Sequence, residues 1–192
     1  IHCTGATIAW LQRELKLINN AAEIEGFATS VPDNGGVYFI PAFAGLGAPW
    51  WNSAVRARIV GMTLGTGKAH ICRAALESIG YQVTDLVEAM TSEAGISLKE
   101  LRVDGGPTRN RFLMQFQSDL LGVPVVRSEA EDASAFGAFV MNGFARKKWL
   151  TFDEAAATRV CDAPVVPGDG RNSARMAYAG WREAVEELVR KY

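Results

Sequence analysis

Long apolar runs are missing from this chain: no stretch of about 18 or more consecutive apolar residues occurs, so no membrane-spanning helix is expected. No positively charged segment followed by a short apolar one reads as a secretory signal. An excess of one charge is missing too. The 20 basic and 21 acidic residues leave a net charge of −1, and no basic stripe stands out, which argues against a nucleic acid held by phosphate neutralisation. Cysteine is scarce. Cys3, Cys72 and Cys161 lie far apart, are odd in number and form no C-x-x-C pair, so neither a disulfide framework nor a zinc site is expected. A reducing, cytoplasmic setting is the corresponding expectation. Repeats and low-complexity tracts are also lacking.

Two familiar nucleotide loops are absent. Gly65-Thr-Gly-Lys-Ala69 fails as a P-loop, because Met62 stands where the first glycine belongs and Ala69 stands where Ser or Thr must follow the lysine. Gly105-Gly-Pro-Thr-Arg-Asn110 lacks the G-x-G-x-x-G spacing of a dinucleotide fold. His70, near the start of a helical segment, reads as a surface or capping residue rather than a catalyst.

What is present is an ordinary globular composition, with 192 residues, 48% apolar and 21% charged. That suffices for one domain over 1–192, with 171–192 as a terminal packing helix. The chain starts at Ile1 rather than Met and enters Gly5 to Leu15 as though already inside a fold, so it is expected to be a fragment.

Periodicity places the elements. Ile8, Leu11, Leu15 and Ile18 predict an amphipathic helix over Thr7 to Ile18, and Ala21 to Ala28 a second, short one. Val37 to Ile40 and Ala57 to Met62 read as strands, joined by a loop in which Trp50 and Trp51 either stack on the core or wall a ligand. Lys68 to about Thr91 is the longest helix signal, with Leu76, Ile79, Val83, Leu86 and Met90 on one face. Strand Leu101 to Val103 follows, then a helix carrying Phe112, Phe116 and Leu120 that Gly122 and Pro124 stop. Val123 to Val126 is a further strand. Ala133 to Phe144 is helical, with Gly137 allowing close helix–sheet packing, and Tyr178, Trp181, Val185 and Leu188 mark the last helix. Strands alternating with helices predict an α/β fold, with ligands at the carboxyl ends of the strands.

The Asp104-Gly105-Gly106 turn falls at such a strand end. Adjacent glycines cost roughly 0.5–1 kcal/mol each against alanine in regular structure, so a turn, a cap or a ligand must require them. Thr108 or Gly106 is expected to cap the next helix, whose amides would then face the same spot. Asp104 either bonds the turn amides or holds magnesium through water, the first being favoured.

Asn34 to Trp51, His70 to Gln82, Val103 to Gly106 and Asn110 to Val125, taken together, closely resemble the carboxyl-terminal half of the FGGY carbohydrate kinases. Residues Ala57 to Glu77 fit a second signature of that family, with Gly61 and Met62 followed after a gap by His70, Ile71, Ala74, Ala75, Leu76 and Glu77. The resemblance runs from about Gly5 to the final helix. It implies an actin-like, RNase H-like ATPase domain, a mixed sheet flanked by helices, the second of two domains that close around a cleft. It also implies that ATP or ADP with Mg2+ binds here. Gly5 would lie near the phosphates, the Gly105-Gly106 turn against the adenosine portion through Gly106, and Asn110 would hydrogen-bond it.

The acceptor implied is a hydroxyl of a small polyol or sugar, glycerol or a related polyol or ketose. By the same resemblance the catalytic aspartate, most acceptor-binding residues and the first phosphate loop belong to an amino-terminal half. No catalytic residue is therefore assigned here, and the chain alone is expected to be inactive. Family members often pair as homodimers. Three positions depart from the family pattern: Ala9 replaces a glutamine, Leu64 an arginine and Asn52 an aspartate, which points away from glycerol itself. The rival reading is a stand-alone actin-like nucleotide-binding or regulatory module without catalysis.

Overall fold

The computed structural model describes residue 1, residues 3–128 and residues 133–192. Helix α1 (Gly5–Arg13) buries Thr7, Ile8 and Leu11 on one face. It stops short of the predicted Ile18. Lys16 takes a left-handed φ of 54°, and the amide of Leu17 returns to the carbonyl of Leu11 at 3.1 Å, a turn that satisfies the open carbonyls of the last turn. Ile18 still reaches the core, whereas Leu15 is left in solvent. Helix α2 (Glu23–Thr29) follows, two residues later than expected, with Ile24 and Ala28 buried.

Strands β1 (Tyr38–Ile40) and β2 (Arg58–Val60) pair antiparallel, Phe39 opposite Ile59. The 27-residue helix α3 (Lys68–Ala94) comes next; its first turn is closed by the ring Nδ1 of His70, which accepts from the Gly67 amide at 3.1 Å, and Gly95 ends it in the left-handed region. Strand β3 (Leu101–Val103) leads through a 3-10 turn (Gly106–Arg109) into α4 (Arg111–Leu121), which Gly122 terminates at φ 68° as predicted. Strand β4 (Val125–Arg127) then pairs parallel with β3, shifted from the predicted Val123–Val126. Helices α5 (Ala133–Ala145), α6 (Phe152–Ala156) and α7 (Arg171–Arg190) complete the described elements. Parallel and antiparallel pairing are thus both present, divided between two two-stranded sheets among the described residues.

Helix α3 runs through the middle. On one side Ile8, Leu11, Val37, Phe39, Leu76 and Leu113 form one apolar cluster, and on the other Tyr81, Phe116, Leu120, Trp181 and Val185 form a second. All four marker residues of α7, Tyr178, Trp181, Val185 and Leu188, are buried, and Tyr81 stacks on Trp181 with ring centroids 5.3 Å apart. The predicted face of α3 holds only for its first half, because Met90 is 61% exposed where the helix runs out beyond its neighbours.

Two carboxylates of α3 lie buried in this interior, and periodicity gave no sign of either. Glu77 accepts from Arg73 Nε at 2.8 Å, Asn34 Nδ2 at 2.9 Å and Tyr81 OH at 3.0 Å, while Arg73 also donates to the carbonyls of Ala28 and Val31. Asp85 accepts from the indoles of Trp50 and Trp181 and from the Tyr178 hydroxyl. Burial raises both carboxyls above their ordinary values even against these donors. Trp50 therefore docks on the core, with Arg182 over its ring at 5.0 Å. Trp51 does not: it is 78% exposed at a left-handed φ of 45°.

The close approach assigned to Gly137 is displaced as well. A side chain at Gly137 would meet nothing within 4 Å, whereas one at Gly143 would run into the indole of the buried Trp149.

Candidate functional site

A cleft of about 470 Å³ opens where α1, α2 and the 3-10 turn converge. Helix α1 contributes Gly5, Ile8, Ala9 and Gln12; the start of α2 contributes Ala21, Ala22, Ile24 and Glu25; α3 contributes Leu76; the turn contributes Gly106, Pro107, Arg109 and Asn110. Its lining is mostly apolar with a few polar side chains, Gln12, Glu25, Arg109 and Asn110, the usual make-up of a small-molecule site. Three of the four predicted residues, Gly5, Gly106 and Asn110, share this cleft although they lie about a hundred positions apart in sequence.

The fourth, Gly105, is not among the lining residues. Its φ of 89° is a backbone state that L side chains avoid, so it supplies the turn that delivers Gly106 to the wall. A side chain built at Gly5 or Gly106 would meet nothing within 4 Å, so each offers bare backbone to whatever enters. Asp104 is exposed and, among the described residues, receives no hydrogen bond from the turn amides, contrary to the favoured expectation. Among the described residues no cluster of three His, Cys, Asp or Glu is placed to hold a metal ion.

The cap of α4 also differs from expectation. Neither Thr108 nor Gly106 serves; Thr108 donates to the Gly105 carbonyl at 2.7 Å, and Asn110 is the capping residue, its Oδ1 accepting from the Leu113 amide at 2.8 Å. The next donors are not open to a ligand either. The amides of Arg111 and Phe112 point at the Glu25 carboxylate, each at 3.3 Å. Helix α4 therefore turns a satisfied N-terminus toward the cleft, and Asn110 keeps its Nδ2 as a donor. At the other end, the first amides of α1, those of Gly5 and Ala6, find no acceptor among the described residues.

Of the three departures from the family pattern, only Ala9 lines this cleft. Asn52 is structural: its Oδ1 accepts from the Ala54 and Val55 amides at 3.0 and 3.2 Å. Leu64 sits fully exposed on the loop before α3. A second cleft of about 490 Å³, beside the far face of the 3-10 turn, gathers Arg109, Arg111 and Arg127 with Asp162, the last two paired. It contains none of the predicted site residues. Glu25, Gln12 and Arg109 went unnoticed in the sequence, where each reads as one more polar position on an exposed face.

Residues 1–146 match the FGGY family of carbohydrate kinases, C-terminal domain. The chain is 50% identical over 186 residues to a glycerol kinase of Petrotoga mobilis, covering 97% of this chain and 37% of that protein. It is 48% identical over 189 residues to glycerol kinase 2 of Thermotoga maritima, covering 98% and 38% respectively. Among solved structures, Plasmodium falciparum glycerol kinase with ADP superposes with a TM-score of 0.85 at 36% identity, over 96% of this chain and 37% of that one. A gluconate kinase from Lactobacillus acidophilus shares the fold, with a TM-score of 0.84 at 18% identity, over 96% and 38%. The chain thus spans a little over a third of the length of these relatives. With its actin-like α/β architecture and a match over most of its length, this chain belongs to the FGGY family of carbohydrate kinases, as a C-terminal domain.

Proposed function

We propose that this chain is the nucleotide-binding half of an ATP-dependent kinase that phosphorylates a hydroxyl of a small polyol or sugar, with glycerol the first candidate. The observation that carries the reading is the single cleft in which Gly5, Gly106 and Asn110 meet. Gly5 and the first amides of α1, which find no acceptor among the described residues, suit the phosphates, Gly106 lets the nucleoside approach the backbone, and Asn110 Nδ2 donates to it. Ile8, Ile24 and Leu76 give the flat base an apolar floor.

Glycerol is favoured by the relatives at 48–50% identity, which are named glycerol kinases. Of the three departures from the family pattern, Ala9 lies in the nucleotide's part of the cleft, and Leu64 and Asn52 lie outside it.

The carboxylate that lines the cleft, Glu25, is already engaged by the α4 amides, so the described residues do not make up a magnesium site. No step is routed through the ion. What this half contributes is position: phosphoryl transfer rests on holding donor and acceptor in line, and half a cleft holds the donor alone. Residues 1–192 act in this reading as one unit, closed by the helix over 171–192, within a longer cytoplasmic enzyme that pairs with a second copy.

Isothermal titration with MgADP tests the reading. Binding is expected to the unmodified chain and to weaken about tenfold, one hydrogen bond's worth, in Asn110→Ala. Unchanged binding would remove Asn110 from the site, and no binding to the unmodified chain would remove the site.

A further inference from the structure

Two helix N-termini face the cleft, and their electrostatics are opposite. At α1 the amides of Gly5 and Ala6 have no acceptor among the described residues. At α4 the Leu113 amide is bound by Asn110, and those of Arg111 and Phe112 by the carboxylate of Glu25, 86 and 87 positions earlier in the chain. A helix N-terminus carries roughly half a positive charge, and a bare one beside Arg109 would draw phosphate strongly. With a half-buried carboxylate seated on it, the amides of that end are occupied, and an anion that approaches them meets like charge at short range.

From this we infer that Glu25 is a positioning residue that sets the direction of the nucleotide, barring phosphate from the α4 end so that the phosphate chain runs to Gly5 and the nucleoside stays beside Asn110. The inference rests on the nucleotide reading of the cleft and adds the reason for one orientation. Without Glu25 the amides of Arg111 and Phe112 would be open to an anion, as those of Gly5 and Ala6 are among the described residues.

The unmodified chain supplies one test. Amide nuclear magnetic resonance signals are followed while adenosine, and separately ADP, is added. The difference between the two titrations, which reports the phosphates, is expected at Gly5 and Ala6 and not at Arg111 or Phe112. A phosphate-dependent shift at Arg111 and Phe112 overturns the inference.

Glu25→Gln supplies the second, with inorganic pyrophosphate as the probe. Its affinity is expected to rise about three- to tenfold, with new shifts at Arg111 and Phe112, while adenosine affinity stays within about twofold. A gain of binding is not what a loosened fold would produce. Unchanged pyrophosphate affinity in the folded variant overturns the inference. Failure of both adenosine and ADP to bind the unmodified chain is a different result: it overturns the nucleotide reading, and the role of Glu25 with it.

Discussion

The indole N–H of Trp181 donates to Asp85 Oδ2 at 2.9 Å, fastening the terminal helix to the middle of α3 through a bond buried on both sides. Trp50 donates to the same oxygen at 3.1 Å, and the Tyr178 hydroxyl donates to the other at 2.7 Å. Asp85→Ala strands both indoles, while the Tyr178 hydroxyl keeps Glu88 Oε2 at 3.1 Å, and is expected to cost about 3 kcal/mol or more. Asp85→Asn keeps an oxygen for the indoles and should cost about half as much. Urea unfolding followed by tryptophan fluorescence measures both, and equal costs would show that the lost charge alone matters.

Asn110 has two tasks in this structure, and Asn110→Asp separates them. The aspartate still caps α4, so stability should stay within about 0.5 kcal/mol, whereas Asn110→Ala should lose about 1 kcal/mol. Both variants lack the Nδ2 donor, and the aspartate also brings negative charge toward a nucleotide. MgADP affinity is expected to fall at least about tenfold in Asn110→Asp despite its intact fold. Retained affinity would leave Asn110 with a capping role alone.

The two glycines of α5 should respond in opposite ways to alanine. Gly143→Ala drives a methyl into the Trp149 ring and is expected to destabilise by about 1–3 kcal/mol. Gly137→Ala meets open space in a helix and should stabilise by roughly 0.4–1 kcal/mol. Melting temperatures of the two variants, compared with the unmodified chain, decide the matter.

The buried carboxyl of Glu77 makes stability depend on pH. Burial, outweighing Arg73, Tyr81 and Asn34, holds its pKa above the ordinary 4.5. A group raised on folding binds its proton more readily in the folded chain, so its contribution is full below the unfolded value and is lost as pH rises through the folded one. Glu77→Gln lacks that contribution. The stability advantage of the unmodified chain over Glu77→Gln is therefore expected to widen as pH falls from about 8 toward about 5. A narrowing advantage, read from urea midpoints across that range, would mean that the Arg73 ion pair dominates instead.

Much of the architecture was legible because it is periodic or punctuated. The α7 residues Tyr178, Trp181, Val185 and Leu188 recur at helical spacing, and all are buried. Gly122 stops α4 because a left-handed residue there costs glycine nothing. Periodicity misled where local geometry interrupted it. Leu15 keeps the helical interval of α1, yet the left-handed Lys16 has already turned the chain. Met90 keeps the interval of α3, yet it is left 61% exposed.

For this protein the order and kind of most elements, the glycine turn and the family resemblance were set by the sequence, since each depends on residues close together along the chain. Tertiary structure alone decided that Asn110 rather than Thr108 caps α4, that Asp85 gathers two tryptophans and a tyrosine, and that Glu25 closes the helix end expected to be open. Two of those three arrangements join residues dozens of positions apart, 86 for Glu25 with Arg111 and 96 for Asp85 with Trp181. Such pairs leave no periodic trace, because the free energy that forms them comes from satisfying buried or helix-end polar groups once the chain has folded, and not from any local preference.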